Sequence, residues 1–269
     1  MPQWQKMNKE LLYQNKKIFY RIIGSGKPVV LIHGFGEDGN IWSNQVEYLK
    51  DKFKLIIPDL PGSGQSEMID DMSMEGMAEV THSIIHKENI DACTVIGHSM
   101  GGYITLAFAE KYWNHLNTFG LIHSTAYADS EEKKTVRRKG IEFINQYGAF
   151  EFLKTTTQTL FSQQTKDERP ELIDELVAGM DNFSPTALVS YYEAMILRPD
   201  RTKILQKATV PVLFIMGKYD NAVPLEDGLK QCHFPEKSYI YVFRNSGHMG
   251  MLEEKDKSNE ILDKFLMDN

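Results

Sequence analysis

The stretch Cys93-Thr94-Val95-Ile96-Gly97-His98-Ser99-Met100-Gly101-Gly102 decides the fold of this chain. Its first four residues form a mostly apolar run, which is typical of a strand buried on both faces of a sheet. The next five residues match the pattern G-x-S-x-G, and helical spacing begins at Met100. A strand, a tight turn and a helix in this order would present the Ser99 hydroxyl at the carboxyl end of the strand. We therefore predict that Ser99 is a catalytic nucleophile.

Runs of the same apolar kind recur on both sides of this stretch, and segments with helical spacing separate most of them. Strands that are apolar throughout and alternate with helices are typical of a parallel sheet covered on both faces. We therefore predict an α/β fold with a doubly wound, mostly parallel sheet. Lys16–Ile23 places apolar residues on one face only, which predicts a half-buried antiparallel strand. The apolar runs lie at residues 28–32, 54–57, 119–122, 211–216 and 238–243.

Helical spacing is clearest in four segments that flank these strands. Ser73 stands directly before the second of them and is a suitable N-cap residue. The last segment is amphipathic and would close the chain against the sheet. The four segments lie at residues 41–53, 74–87, 103–113 and 252–266.

Residues 125–203 break the alternation of strands and helices. They contain no convincing buried strand, only charged helical periods punctuated by Pro170, Pro185 and Pro199. We predict an all-helical insertion between two strands of the sheet. The core would then comprise residues 1–124 and 204–269, and the insertion residues 125–203.

A serine hydroxyl is a weak nucleophile and needs a general base, which in turn needs an orienting carboxylate. Asp220 follows the run at residues 211–216, and His248 follows the last run at residues 238–243. The carboxyl ends of parallel strands meet at one edge of the sheet, so these side chains could converge on Ser99. We predict a triad in the chain order Ser99, Asp220, His248.

The loop His33-Gly34-Phe35-Gly36 follows the run at residues 28–32. Its glycines allow the backbone to approach a substrate closely. We predict that the backbone N–H of Phe35 and that of Met100, at the start of the helix after Ser99, bind the oxyanion of the reaction.

Composition excludes several classes of protein. The 269 residues carry 30 Lys and Arg against 37 Asp and Glu, a formal net charge of −7, which argues against a nucleic-acid partner. Two cysteines cannot build a disulfide framework or a four-cysteine zinc site, and His82 and His86 lack the rest of a metal-binding motif. We therefore predict no metal and no cofactor.

Targeting signals are equally sparse in the sequence. No apolar run approaches the ~20 residues needed to span a bilayer, so no membrane association is predicted. The first six residues lack the apolar core of a secretory signal. We predict a cytoplasmic protein.

Taken together, four motifs and one single residue, Asp220, resemble those of the α/β-hydrolase fold superfamily. The resemblance covers almost the whole chain outside the insertion, and it implies Ser99 as nucleophile, His248 as general base and Asp220 as orienting acid. It also implies that the insertion is a cap over the site. The loop after Asp59 departs from the common Asp-x-Arg-Gly pattern, because Leu60-Pro61 follows the aspartate. The motifs are His33-Gly34-Phe35-Gly36, the loop from Pro58 to Ser66, Gly97-His98-Ser99-Met100-Gly101-Gly102, Asp220 and Gly247-His248.

Within that superfamily the chain is most similar to capped serine esterases and lactonases. The expected substrate is therefore a small ester or lactone, acted on by a monomer or a homodimer. We expect His98, Met249 and Tyr191 to contact the substrate. Two alternatives share the same triad: a carbon–carbon bond hydrolase or lyase, and a receptor that binds a small molecule without catalysis.

Overall fold

The computed structural model describes residues 7–269, so the prediction about a secretory signal falls on residues outside the described part. Within that part, one sheet has the strand order β1-β2-β4-β3-β5-β6-β7-β8. The strands β3 to β8 run parallel, and β2 pairs antiparallel with both β1 and β4. The strands are β1 (Met7–Tyr13), β2 (Lys16–Ile23), β3 (Lys27–Ile32), β4 (Phe53–Pro58), β5 (Cys93–His98), β6 (Leu116–Ile122), β7 (Val212–Gly217) and β8 (Ser238–Phe243).

Helices connect and cover these strands. Ser73 caps α2, and its side chain accepts a hydrogen bond from the backbone N–H of Gly76 at 3.0 Å, as its position predicts. The helices are α1 (Ser43–Leu49), α2 (Met74–Lys87), α3 (Met100–Lys111), α4 (Glu131–Tyr147), α5 (Ala149–Thr157), α6 (Gln163–Glu168), α7 (Pro170–Ala178), α8 (Pro185–Leu197), α9 (Thr202–Gln206), α10 (Leu225–Gln231), α11 (Gly250–Glu253) and α12 (Lys255–Asp268).

The inner strands β3 to β7 are buried on both faces, whereas the edge strand β8 is mostly half-buried. In β3, Val30 and Ile32 join the apolar cluster that contains residues of α2 and α3, while Val29 and Leu31 join the cluster that contains residues of α1 and α12. Successive side chains of a strand point to opposite faces, so each strand contributes to both clusters. The predicted fold class, α/β with a doubly wound and mostly parallel sheet, is confirmed.

The structure differs from the sequence prediction at the end of one helix and in an additional edge strand. The helix predicted over residues 41–53 ends at Leu49, and Phe53 already begins β4. The strand β1 was not predicted from the sequence, because it lies at the edge of the sheet, where Met7 and Leu12 are exposed. An edge strand of that kind lacks the continuous apolar run by which the inner strands are recognised.

The connection from β6 to β7 contains the helices α4 to α9 and, in the described structure, no strand. Its apolar residues do not form a separate core. Ile144, Leu153 and Tyr191 belong to the same apolar cluster as residues on one face of the sheet, so the apolar interior of these helices is continuous with that of the sheet. The helix α9 crosses the predicted boundary between residues 203 and 204, and the division of the chain into core and insertion stays a prediction.

None of the helices described in residues 7–269 is both long enough and apolar enough to cross a membrane.

Candidate active site

Ser99 stands on a strained turn between β5 and α3. Its backbone φ of 52° and ψ of −116° is a conformation that residues with a side chain rarely adopt. The two motif glycines make the turn possible, because a Cβ at Gly97 would lie 2.2 Å from the Gly101 carbonyl oxygen. A Cβ at Gly101 would lie 2.4 Å from the Ile32 carbonyl oxygen. The sequence therefore needs glycine on both sides of Ser99.

Replacing Gly101 by alanine should destabilise the protein, because its new methyl group would press on the backbone of β3. We expect a loss of about 2–3 kcal/mol in the free energy of unfolding, which lowers the melting temperature by roughly 5–10 °C in a protein of this size. Thermal unfolding followed by circular dichroism measures it. Gly179→Ala is the matched control, since the nearest atom to its added Cβ is the Leu176 carbonyl oxygen at 3.5 Å. Equal melting temperatures for the two variants would contradict this account.

Asp220 lies in the loop after β7 and accepts four hydrogen bonds. Its Oδ1 accepts from the backbone N–H groups of Ala222 and Val223, each at 2.8 Å. Its Oδ2 lies 2.8 Å from Nδ1 of His248 and 3.2 Å from Nδ1 of His123. Burial favours the neutral carboxyl group, but His248, His123 and their hydrogen bonds hold the pKa of Asp220 well below its usual range. The carboxylate therefore stays ionised, and it can orient the two imidazoles.

His248 follows β8, as the sequence predicts, and presents its ring to a cavity. The ring Nδ1 contacts Asp220, while the backbone N–H donates to the Leu160 carbonyl oxygen at 2.6 Å. The Nδ1 hydrogen bond to a carboxylate fixes the tautomer in which Nε2 is free to accept a proton. Leu160 belongs to the connection between β6 and β7, so that connection helps to hold the His248 loop.

The sequence analysis missed His123, which lies beside Asp220 and His248. It follows β6 directly, its backbone φ is +48°, and its side chain is fully buried. His123, Asp220 and His248 offer ligand atoms within 4.8 Å of one another, a spacing that a metal ion could also use. The two Nδ1 contacts with Asp220 account for the cluster as hydrogen bonds. Its position at the carboxyl end of a parallel strand was a signal that could have identified His123.

Glu37 is a second residue that the sequence analysis missed, and it pairs with His98. The Glu37 Oε2 atom accepts from the Gly34 N–H at 2.6 Å and lies 3.1 Å from Nδ1 of His98. The other ring nitrogen of His98 lies 3.1 Å from the His248 carbonyl oxygen. Burial disfavours the charged imidazole, but the Glu37 carboxylate outweighs it and raises the pKa of His98. The pair links the loop after β3 to the backbone of His248.

Because of the buried carboxylates Asp220 and Glu37, the free energy of unfolding should fall as the pH is lowered. The pKa of each is lower in the folded chain than its ordinary value of 3.8 or 4.5, so the unfolded chain takes up protons first as the pH falls. Their contribution is complete above about pH 5 and is lost as the pH drops below about 4. Urea unfolding at pH 7, 5, 4 and 3.5 measures it. A free energy of unfolding that stays constant over this range would contradict the prediction.

Ser99 and His248 line one cavity of about 480 Å³ between the sheet and the helices α4, α5 and α8. Phe35 lines the same cavity, and its ring stacks on Tyr192 of α8 with centroids 4.4 Å apart. Met100 is the first residue of α3, where backbone N–H groups have no partner within the helix. The structure thus brings four of the five predicted catalytic and oxyanion residues to or beside one cavity, with Asp220 bonded behind His248.

The three residues predicted to contact the substrate do not form the cavity wall. His98 and Met249 are fully buried, and the ring of His98 is occupied by Glu37 and the His248 carbonyl. Tyr191 is also fully buried, and its hydroxyl donates to the Pro61 carbonyl oxygen at 2.6 Å. This placement corrects the expectation of direct contact, because side chains enclosed by protein atoms have no surface to offer a substrate.

Comparisons with known proteins agree with the fold. The family described as alpha/beta hydrolase fold matches residues 27–255. A 2-hydroxy-6-oxononadienedioate/2-hydroxy-6-oxononatrienedioate hydrolase of Pseudomonas putida is 27% identical over 266 residues, covering 93% of this chain and 91% of that protein. A 2-hydroxy-6-oxo-6-phenylhexa-2,4-dienoate hydrolase of Comamonas testosteroni is 26% identical, with the same coverage of 93% and 91%. The solved structure of a thermophilic esterase from Thermogutta terrifontis is 28% identical, with a TM-score of 0.90 and 98% of each chain covered.

Proposed function

Because the chain belongs to the alpha/beta hydrolase fold family, we propose that this hydrolase cleaves a small carboxylic ester or lactone through an acyl-enzyme on Ser99. One observation carries the proposal. Ser99 and His248 line the same cavity, and Asp220 holds the far side of the His248 ring at 2.8 Å. A hydroxyl, an imidazole and a buried carboxylate in that arrangement can activate a nucleophile without a cofactor.

The proposed reaction proceeds in two halves. The Ser99 hydroxyl attacks the carbonyl carbon while His248 Nε2 takes its proton, and the N–H groups of Phe35 and Met100 bind the oxyanion. His248 then gives the proton to the departing alkoxide, which leaves the acyl group on Ser99. Water attacks this ester with His248 as base, and the acid departs as Ser99 recovers its proton. Each oxyanion donor typically contributes roughly 3–4 kcal/mol to the stability of the transition state.

The helices between β6 and β7 fit the role of a cap in this proposal. Arg137 of α4, Thr156 of α5 and Tyr192 of α8 line the cavity opposite Ser99. A cap of this kind would exclude water from the oxyanion and would select the acyl group. We therefore place the choice of substrate in residues 125–203.

A carbon–carbon bond hydrolase is the second candidate, and the relatives support it. The compounds in the names of the Pseudomonas putida and Comamonas testosteroni hydrolases are hydroxy-oxo dienoates, which contain no ester bond. Their hydrolysis must therefore break a carbon–carbon bond. The esterase from Thermogutta terrifontis, at 28% identity, supports the ester reaction instead.

A substrate panel separates the two candidates. The purified protein is assayed with 4-nitrophenyl acetate and butyrate, simple lactones, and a vinylogous 1,5-diketone. We expect kcat/KM to be highest for an ester or lactone. Rapid cleavage of the diketone with only weak ester turnover would favour the second candidate and contradict the first.

A further inference from the structure

The wall of the cavity that the helix α4 contributes carries an excess of positive charge. Arg137 Nε lies 2.6 Å from Oδ2 of Asp129, and Arg198 Nη1 lies 2.9 Å from Oδ1 of the same carboxylate. The Asp129 side chain is fully buried, and the side chains of Arg137 and Arg198 are 12% and 3% exposed. One carboxylate therefore faces two guanidinium groups, which leaves one positive charge in a largely enclosed place.

Lys133 adds a second positive charge one helical turn before Arg137. Its Nζ donates to the Ala222 carbonyl oxygen at 2.7 Å, and no carboxylate lies within 4.0 Å of it in the part of the chain that the structure describes. Both Lys133 and Arg137 line the cavity that contains Ser99. The Ala222 contact holds the ammonium group beside the loop that carries Asp220.

Tyr103 lies in the same cavity wall, close to these positive charges. The guanidinium carbon of Arg198 lies 3.8 Å from the centroid of the Tyr103 ring. Burial raises the pKa of a tyrosine, but Arg198, Lys133 and Arg137 outweigh it and lower the pKa of Tyr103. A buried phenol that is shifted toward its anion indicates that this part of the cavity favours negative charge.

The acidic groups of the cavity do not cancel this excess. The Glu37 carboxylate contacts Nδ1 of His98 at 3.1 Å and accepts from the Gly34 N–H, and it makes no ion pair with Lys133 or Arg137 among the described residues. Asp227 also lines the cavity, but its side chain is 49% exposed and is paired with Lys230 at 2.9 Å. An excess of positive charge in a largely enclosed place is costly for the folded protein, and an anion that binds there would offset this cost.

We propose that the substrate carries a second, negatively charged group, a carboxylate, which Lys133 and Arg137 bind while Ser99 attacks the ester or lactone carbonyl. This rests on the proposed function and names its substrate class as half-esters or lactones of dicarboxylic acids. Lys133 is the specificity-determining residue, because its ammonium group lacks a carboxylate partner of its own. Arg137 contributes through the charge that Asp129 leaves unbalanced.

The test compares two esters of equal length that differ in one charge. They are 4-nitrophenyl hydrogen adipate, which keeps a free carboxylate, and 4-nitrophenyl hexanoate, which ends in a methyl group. We expect the wild-type protein to prefer the adipate in kcat/KM, and Lys133→Met to lower the adipate-to-hexanoate ratio about tenfold. Lys134→Met is the matched control, because Lys134 is paired with Glu131 and lies outside the cavity wall. The preference should also weaken as NaCl rises from 0.05 to 0.5 M, because salt screens the partly exposed ammonium group.

A wild-type preference for the hexanoate, or an equal effect of the two lysine variants, would overturn the proposal. A protein that hydrolyses neither ester would instead contradict the proposed function. Calorimetric binding of free adipate tests the cationic subsite without any turnover. Hexanamide, which has the same chain length and no carboxylate, is the neutral comparison. We expect Lys133→Met, but not Lys134→Met, to weaken adipate binding about tenfold relative to hexanamide. Binding of adipate no tighter than hexanamide in the wild type would also overturn the proposal.

The side chain of His123 is buried, and its backbone is strained at a positive φ. Its Nε2 atom has no hydrogen-bond partner among the described residues. A Cβ on Gly250 would lie 2.4 Å from this Nε2 atom, so the ring fits only against a glycine. A buried acceptor without a partner and a non-glycine residue at positive φ each cost about 1–3 kcal/mol. Only the Nδ1 contact with Asp220 at 3.2 Å offsets them.

We infer that His123 is a positioning residue that acts through Asp220. Its Nδ1–H donates to the carboxylate oxygen that also accepts from His248, and thereby shares the negative charge between two imidazoles. The other titratable pair near His248 is Glu37 and His98, whose ring centroid lies 5.0 Å from that of His248. Without the His123 donor, the Oδ2 atom of Asp220 would turn its whole negative charge to the His248 ring.

The pH dependence of His123 variants tests this role. In His123→Ala, we expect the acid limb of kcat to move about half a pH unit higher, which lowers kcat on that limb by up to about threefold. His123→Asn should recover the wild-type profile, because its amide can donate from the place of Nδ1 and asparagine tolerates positive φ. NMR titration of the His248 imidazole follows the same shift without turnover. If the His248 titration curves of His123→Ala and the wild type coincide, the inference is overturned. This holds even if the two proteins differ in melting temperature.

Discussion

Replacing Ser99 by alanine should abolish ester hydrolysis, with kcat/KM falling by about 10⁴-fold or more. The acyl-enzyme cannot form without the hydroxyl, so only the oxyanion donors and substrate binding would remain. The fold should survive, because Ser99 is the N-cap of α3 but its side chain makes no capping hydrogen bond. Initial rates with 4-nitrophenyl butyrate and the melting temperature measure the two effects.

Ser73→Ala provides the matched control for a serine at a helix N-terminus. Ser73 does cap α2 through its hydroxyl, so its loss should cost about 1 kcal/mol of stability and leave kcat unchanged. Ser99→Ala should therefore lose activity and keep its stability, whereas Ser73→Ala should lose stability and keep its activity. Full turnover by Ser99→Ala would refute the role of Ser99 as nucleophile.

Replacing Asp220 by asparagine should lower kcat by roughly 10³- to 10⁴-fold. The amide oxygen can still accept from Ala222 and Val223, but the amide nitrogen would then face the Nδ1 atoms of His248 and His123. Two donors cannot share that contact, so His248 would adopt the tautomer with its proton on Nε2. In that tautomer it cannot take a proton from Ser99.

Asp256→Asn, in the first turn of α12, is the control for the loss of one negative charge. It should keep the wild-type kcat, since Asp256 does not line the cavity. If Asp220→Asn retained more than about a tenth of the wild-type kcat, the carboxylate would not orient the base, and the triad assignment would have to change.

The sequence was most informative where burial is extreme. β5 is apolar because both of its faces are covered, and Gly97 and Gly101 are glycines because a Cβ would meet backbone atoms at 2.2 and 2.4 Å. Such residues have almost no alternative, so the pattern around Ser99 could be recognised without coordinates. Asp220 and His248 could be found because parallel strands bring their carboxyl ends to one edge.

The missed features depend on contacts that leave no local pattern. Glu37 and His123 are single polar residues at strand ends, and their partners His98 and Asp220 lie 61 and 97 residues away. Tyr191 was expected to contact substrate because it is aromatic and lies in the insertion, but its hydroxyl binds Pro61 inside the protein. Only the tertiary packing of α8, whose main contact is with α4, decides which face of that helix reaches the cavity.

The most direct test of the acyl-enzyme account is covalent labelling with a fluorophosphonate, followed by intact-mass and peptide mass spectrometry. The reagent phosphonylates a serine only where a base activates it and donors hold its oxyanion. The account predicts one label per chain, on Ser99, with none on Ser99→Ala. It also predicts that Asp220→Asn labels much more slowly than the wild type. A wild-type protein that binds a small ester, yet is not labelled by the fluorophosphonate, would contradict the account. That result would favour a receptor on the same fold.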